Sequence, residues 1–158
     1  MPATPKPESD LLLVLYDVAR HMRTYSDRVA HKRGMTRAQW VILARLERQS
    51  NLSQSELSAL IQASPITVAR LVDRLEAQGL VERCTDPDDR RIWRLRLTPA
   101  AAPVLQEIHE FRACLFGLMT EGLDPAALDA MASGLNRMKD NVSRQRRSAA
   151  AAKELVDA

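Results

Sequence analysis

The chain has 158 residues and a formal net charge of +3, with 46% hydrophobic, 27% charged and only 4% aromatic residues. This length holds one domain or two small lobes, and the ordinary balance of apolar and charged residues excludes wholesale disorder. The longest uncharged apolar run, at residues 11–16, is far shorter than the ~20 residues of a membrane-spanning helix. No secretory signal is visible at the start, so we expect a cytoplasmic protein with no membrane partner.

The first third of the chain predicts two helices. Residues 1–9 contain three prolines and are expected to form a flexible arm, after which Ser9 is expected to cap a long helix. Apolar residues recur at spacings of three and four between residues 12 and 29, and Gly34 suits a left-handed helix end. A second helix is predicted to begin at Thr36.

Two closely spaced helix starts follow. Ser53 and Glu56 form a capping box, and Ser64 with Pro65 places a capping hydroxyl directly before a proline that needs no hydrogen bond. In the first of these helices, Leu57, Leu60 and Ile61 follow at the spacing of a short helix. The second is expected to bury Val68, Leu71, Val72 and Leu75.

The apolar period then changes from helical to alternating. Residues 80–84 and 92–97 alternate apolar and polar side chains around a polar segment at 85–91, which predicts a β-hairpin with a charged tip. Thr98-Pro99 and Asp124-Pro125 each predict the start of a further helix. The tail, 143–158, either extends the last helix or frays.

This order of elements predicts a mainly α fold with a small β-hairpin wing. Residues 36–98 form a winged helix-turn-helix, and residues 10–35 and 99–142 form a helical dimerisation region. The apolar stripes of the terminal helices have no obvious partner within so small a domain. A twofold homodimer would bury them.

The outward face of the helix after Ser64 is the first candidate functional surface. With the apolar residues turned inward, this face presents Ile66, Thr67, Arg70 and Arg74. An arginine can bond guanine O6 and N7, an isoleucine can contact a thymine methyl group, and a threonine can meet phosphates or bases. These residue types suit a helix in the major groove of double-stranded DNA, although a solvated basic face would have the same spacing.

The hairpin tip is the second candidate surface. Arginines at 90, 91, 94 and 96 crowd this segment beside three aspartates. An arginine at the end of a β-ribbon can enter the narrow minor groove, and a neighbouring carboxylate can orient it. The alternative is a charged turn that only keeps the hairpin soluble.

The same segments carry a family resemblance. DPDDRR at 86–91 followed by LRLTP at 95–99, together with RLVDRLE at 70–76 and GLV at 79–81, resembles the MarR family of bacterial transcription regulators. TRAQW at 36–40 and the arginine pair at 90–91 resemble its SlyA-like branch. The resemblance spans roughly residues 11–142. It implies a homodimer that binds a pseudo-palindromic operator and is released when a small aromatic or phenolic effector binds.

Position by position, the resemblance assigns DNA-contact roles. Ile66, Thr67 and Arg70 match base-contacting places, Arg91 matches the wing arginine, and Asp89 matches its orienting partner. We add Arg74 and Arg90 as further DNA-binding residues. A ligand-independent repressor, an activator and a winged-helix protein-interaction module remain alternatives.

Effector and metal sites are less well marked. Tyr16, Arg20 and Arg23 on the first helix and Trp40 on the second offer an aromatic wall and guanidinium groups for a planar carboxylate. Ordinary packing explains the same residues, so the ligand-binding residues stay unassigned.

The remaining reactive residue types show no catalytic or metal-binding pattern. The three histidines lack the close spacing of metal ligands, and no nucleotide-binding or hydrolase motif occurs. We therefore expect no metal, no cofactor and no enzymatic activity. Cys84 and Cys114 are expected to be buried, unreactive thiols.

Overall fold

The computed structural model describes the backbone of residues 7–156 and the side chains of residues 10–145. This part of the chain contains six helices and three short strands: α1 (Pro7–Lys32), α2 (Arg37–Arg48), β1 (Leu52–Ser53), α3 (Gln54–Ile61), α4 (Pro65–Ala77), β2 (Val81–Thr85), β3 (Trp93–Leu97), α5 (Ala101–Thr120) and α6 (Pro125–Val156). The mainly α fold with a β-wing is confirmed. The chain divides after Glu110 into two compact units. Within the described residues, no helix combines the length and apolar character needed to cross a membrane.

Local capping chemistry fixes the starts of the three helices of the winged helix-turn-helix. Thr36 and Ser53 both form complete capping boxes, in which the hydroxyl accepts from the backbone amide three residues on and the side chain at that position accepts from the cap amide. Ser64 accepts from the amide of Thr67 at 3.2 Å, and Pro65 occupies the first helical position. The predicted starts of α2, α3 and α4 are therefore confirmed.

The two ends of α1 differ in how well the sequence marks them. The helix begins at Pro7, so the expected cap at Ser9 is wrong, and Ser9 lies inside the first turn. A proline is tolerated there because the first amides of a helix have no carbonyl partner. Gly34 adopts φ +68° after the helix, as its sequence position predicted. Residues 1–6 of the expected arm lie outside the described residues.

The start of α5 lies two residues after the predicted Thr98-Pro99, whereas α6 begins at Pro125 as the sequence predicted. Thr98-Pro99 forms a turn in which the Thr98 carbonyl accepts from the amide of Ala101 at 3.1 Å, and α5 begins there. Asp124 caps α6 by accepting from the amide of Ala127 at 2.7 Å. The tail is helical as far as Val156, and residues 157–158 lie outside the described residues.

The wing is a three-stranded antiparallel sheet with the order β1-β3-β2. The predicted hairpin pairs Val81 with Leu97 and Thr85 with Trp93, so each strand starts one residue later than its sequence pattern indicated. The short strand β1 was not predicted. It pairs Leu52 with Leu95 at the other edge of β3 and thereby ties the wing to the start of α3.

The core of the first unit fixes which face of each helix points outward. Its largest fully buried side chains come from α2, α3, α4 and the wing: Ile42, Leu43, Leu46, Leu57, Leu75, Leu95, Val68, Val72 and Val81. Leu71 is only half-buried. Leu60 is 39% exposed, because the eight-residue helix α3 turns mainly Leu57 and Ser58 into the core.

Candidate nucleic-acid interface

The outer face of α4 lies opposite three buried anchors. Val68, Val72 and Leu75 are fully buried and so set the rotation of the helix about its axis. That rotation leaves the sequence-predicted residues Ile66, Thr67, Arg70 and Arg74 exposed, with Ile66 the most prominent apolar side chain at 68% exposure. The four residues thus share one solvent-facing surface.

Two of these side chains are free to bond a ligand, whereas one is engaged locally. Neither Arg70 nor Arg74 makes an ion pair or side-chain hydrogen bond with any described residue. The hydroxyl of Thr67 lies 2.8 Å from that of Ser64, so it takes part in the helix cap. The two guanidinium groups therefore present their full donor sets outward.

One flank of α4 is braced by an arginine that the sequence analysis did not single out. Arg83 on β2 forms ion pairs with Asp73 and Glu76 of α4, and its own side chain is only 19% exposed. The alternation of side chains along β2 could have indicated this role. Arg83 lies two residues after the buried Val81 and therefore points to the same side of the strand, toward α4. The brace fixes the wing against α4 and neutralises two carboxylates on that helix.

A buried aspartate shapes the base of the wing tip. Asp86 is only 7% exposed, and its Oδ1 accepts from the amides of Asp88 at 2.8 Å and Asp89 at 3.0 Å. Its Oδ2 accepts from the guanidinium of Arg94. The Arg94 bond and, after it, the two amide bonds lower the pKa of the Asp86 carboxyl, so Asp86 stays ionised and holds the turn.

Arg94 and Arg96 are structural residues rather than free arginines of the tip. Besides Asp86, Arg94 binds the Glu56 carboxylate at 2.8 Å and the Asn51 carbonyl at 3.3 Å, while Arg96 binds the Asn51 side chain. The bond to Asp86, above all, raises the pKa of Arg94. The expectation that four arginines crowd the protruding ribbon is therefore wrong for these two, which clamp the wing to the start of α3.

The exposed basic groups at the wing tip are Arg90 and Arg91. Arg91 has 93% of its side chain exposed, and its Nε lies 3.4 Å from Asp89 Oδ1. The same oxygen accepts from the Arg91 backbone amide at 2.9 Å, so Asp89 sits where it can orient Arg91. Arg90 is exposed and makes no side-chain bond to the described part of the chain.

The residues considered for an effector pocket do not share one surface. Tyr16 is 75% exposed and Arg20 pairs with Asp17 at 2.7 Å, whereas Trp40 is 5% exposed in the core. The side chains of residues 10–145 contain no cluster of three or more His, Cys, Asp or Glu residues that could hold a metal ion.

The two cysteines are less buried than expected. Cys84 is half-buried on β2, and Cys114 is exposed on α5. The expectation of a buried thiol is wrong for Cys114, because it lies on a stretch of α5 with little packing in the single chain.

Comparison with known proteins places this fold in one family. The model of the MarR family matches residues 35–93. The solved transcriptional regulator PA3341 is 30% identical, with a TM-score of 0.76, and the match covers 85% of this chain and 98% of that one. The transcriptional regulator SlyA is 27% identical over 86% of this chain and 96% of its own, with a TM-score of 0.77. MepR from S. aureus, solved as a DNA complex, has the same fold at 19% identity, with a TM-score of 0.73 and coverage of 87% and 99%. The chain described here belongs to the MarR family of winged helix-turn-helix transcriptional regulators.

Proposed function

We propose that this DNA-binding transcriptional regulator is a repressor that binds a pseudo-palindromic operator as a homodimer and is released by a small aromatic or phenolic effector. The observation that carries the proposal is that α4 exposes two arginines without side-chain partners among the described residues, while the wing that is braced against α4 exposes two more at its tip. Other arginines hold the wing in place: Arg83 binds α4, and Arg94 and Arg96 bind groups at and just before the start of α3.

The outer face of α4 fits the major groove. Arg70, in the middle of the helix, is the residue we assign to a base edge, since a guanidinium can bond guanine at two points. Ile66 is suited to a thymine methyl group, and Thr67, near the helix start, to a phosphate or a base. Arg74 lies one turn further along and is assigned to a backbone phosphate.

The wing tip fits the adjacent minor groove. Arg91 is nearly fully exposed, and its contact with Asp89 holds the guanidinium group at the tip. A narrow minor groove concentrates negative potential, which attracts an arginine without any base-specific bond. Arg90 adds a second positive charge at the same end of the ribbon.

Exposed apolar side chains support the homodimer. In α1, Leu11, Leu12 and Leu13 are each more than half exposed, as are Phe116 in α5 and Val142 in α6. Large apolar side chains exposed on three helices support an interface with a second copy of the chain. A twofold pairing of the terminal helices would place two copies of α4 for two half-sites of DNA.

Release by an effector requires a difference in affinity between two arrangements of the dimer. A small molecule shifts the population only if it binds the DNA-incompetent arrangement more tightly. An effector of this kind weakens operator binding without occupying the DNA-contact surface of either half-site.

A gel-shift experiment tests the proposal. Labelled DNA from upstream of the chain's own gene is titrated with the wild type and with Arg70→Ala, in the presence of excess nonspecific DNA, and the same DNA drives a reporter. We expect a specific complex of one dimer, weakened by the substitution, and lower reporter output. Retardation no stronger than that of competitor DNA would instead favour a protein-interaction module, and increased output would favour an activator.

A further inference from the structure

Among the described residues of the wing, 81–97, one large apolar side chain remains exposed. Trp93, the first residue of β3, is 48% exposed, whereas Leu95, two residues further along the strand, is fully buried. Folding ordinarily buries most of a tryptophan side chain. The indole N–H of Trp93 makes no hydrogen bond with the described residues. The ring and its single donor are therefore both free to meet a partner.

The pairing of the strands shows which side of the ribbon Trp93 occupies. Side chains of directly paired residues lie on the same face of a sheet, and so do side chains two residues apart along a strand. Arg83 is paired with Leu95, and Thr85 is paired with Trp93. Because Arg83 binds two carboxylates of α4, its face of the ribbon is the one turned toward α4. Trp93 lies on that face, one step nearer the tip.

This position places Trp93 beside a DNA backbone if the wing tip enters a minor groove and α4 enters the neighbouring major groove. One sugar–phosphate strand separates two such grooves, and it must pass between α4 and the tip. Two residues of extended chain span at most about 7 Å, and the minor groove is about 7.5 Å deep. Trp93 lies further from the tip than Arg91, so it stays above the floor of the groove, level with the sugars and phosphates of its rim.

The chemistry of the indole group suits a contact with this strand. Its apolar face can pack on the C–H groups of deoxyribose, and its N–H can donate to a phosphate oxygen. Neither contact reads a base. Neither brings a positive charge to the DNA, so neither releases a counterion. A contact of this kind differs in both respects from one made by an arginine.

We propose that Trp93 is a further DNA-binding residue, which packs its ring on the sugar–phosphate strand between α4 and the wing tip and donates its N–H to a phosphate. The proposal rests on the function proposed above, because it needs α4 and the wing in neighbouring grooves of an operator. The exposed ring is continuous with that surface, since Trp93 lies two residues from Arg91 and on the side of the ribbon that faces α4. The contact adds affinity to all operator sequences alike and does not depend on salt.

Intrinsic fluorescence tests the contact directly, because the chain contains two tryptophans in different surroundings. Trp40 is 5% exposed, so the neutral quencher acrylamide acts mainly on Trp93. Operator DNA should protect the exposed tryptophan of the wild-type protein from acrylamide. Trp93→Phe is the control, because it leaves Trp40 as the only tryptophan, and DNA should not change its quenching.

Operator affinity at two salt concentrations provides the second measurement. Trp93→Ala should weaken binding about tenfold per half-site, the order expected for loss of a ring contact and one hydrogen bond. Its salt dependence should equal that of the wild type, whereas Arg91→Ala should flatten it, because only the arginine carries a charge. Trp93→Phe keeps an aromatic ring without the N–H and should lose less affinity than Trp93→Ala.

Urea unfolding without DNA separates a lost DNA contact from a lost fold. The protection of Trp93 in the wild-type protein needs no substitution at this position, so it tests the contact even if Trp93→Ala is unstable. Trp93 that stays equally open to acrylamide in a specific DNA complex, or a folded Trp93→Ala protein that binds DNA as the wild type does, overturns the contact.

Three further outcomes would assign the ring elsewhere or remove its partner. Protection of Trp93 that rises with protein concentration in the absence of DNA would mean that a second copy covers the ring, and it overturns the proposal. A loss of affinity confined to operators with a flexible pyrimidine–purine step in the flank would place the ring between bases, and it overturns the backbone contact. A wild-type protein that forms no specific DNA complex overturns the proposed function and this contact with it.

Discussion

Arg83 braces the wing against α4 through two ion pairs, and Arg83→Ala removes this brace. The guanidinium forms ion pairs with both Asp73 and Glu76. The Arg83 side chain is 19% exposed, while those of Asp73 and Glu76 are 62% and 41% exposed. The substitution therefore acts on a largely buried arginine whose partners remain in contact with water.

The expected loss of stability follows from these exposures. Ion pairs with solvent-exposed partners contribute roughly 0.2–1 kcal/mol each. The buried stem of Arg83 adds a packing contribution that alanine cannot replace. Together they predict that Arg83→Ala lowers the free energy of unfolding by about 1–2 kcal/mol.

The same substitution should weaken DNA binding through charge. Without Arg83, the carboxylates of Asp73 and Glu76 stay unneutralised on α4, the helix that we propose to meet the DNA phosphates. Their repulsion is screened by salt, so the loss of affinity should be larger at low than at high ionic strength. Adding Asp73→Asn and Glu76→Gln to Arg83→Ala should restore affinity but not stability.

Urea unfolding at one fixed protomer concentration measures the first effect, since the stability of a dimer depends on concentration. Fluorescence anisotropy with labelled operator DNA at two salt concentrations measures the second. An Arg83→Ala protein with unchanged unfolding and unchanged DNA affinity would refute the brace. A triple variant that stays as weak as Arg83→Ala would refute the charge argument alone.

Three further predictions concern the dimer, the wing and its tip. Glutamate at both Leu135 and Met138 should cause aggregation or unfolding, and a soluble, well-folded monomer by size-exclusion chromatography would contradict the dimer. Because the folded-state pKa of Asp86 is lowered, its contribution to stability is complete above its ordinary pKa of about 3.9 and is lost as the pH falls through the lower value. Asp86→Asn should therefore reduce the fall in unfolding free energy at acidic pH. An unchanged fall would contradict a stabilising role of the ionised Asp86. Arg91→Ala should lose most DNA affinity on operators with A·T-rich flanks, and Asp89→Ala should lose less. Fluorescence anisotropy with A·T-rich and G·C-rich flanks measures both losses. Equal losses on the two kinds of flank would exclude a minor-groove contact.

The sequence predicted best what neighbouring residues determine. The caps at Thr36, Ser53 and Ser64 depend on partners three residues away, and all three occur in the structure. Strand alternation likewise located the hairpin to within one residue. The predicted cap at Ser9 was wrong because Pro7, two residues earlier, is an equally good helix start, and a single sequence cannot rank the two.

The features that escaped prediction depend on contacts far along the chain. Strand β1 is two residues long, too short for a pattern, and exists because Leu95 lies opposite Leu52. The arginines of the hairpin look alike in the sequence, yet Arg94 and Arg96 bind groups near residues 51–56 whereas Arg91 does not. Only the fold distinguishes an arginine that clamps the wing from one that is free to meet DNA.

Binding of Arg70→Ala and Arg74→Ala to a library of operator sequences, at two salt concentrations, tests most directly whether α4 reads the major groove. Arg70→Ala should cost about 1–3 kcal/mol per half-site and relax base preference at one symmetric pair of positions. Arg74→Ala should weaken all sequences alike and flatten the dependence on salt, because it removes a phosphate contact. If Arg70→Ala instead lowers affinity uniformly with base preference unchanged, α4 does not read bases through this residue, and its placement in the major groove is wrong.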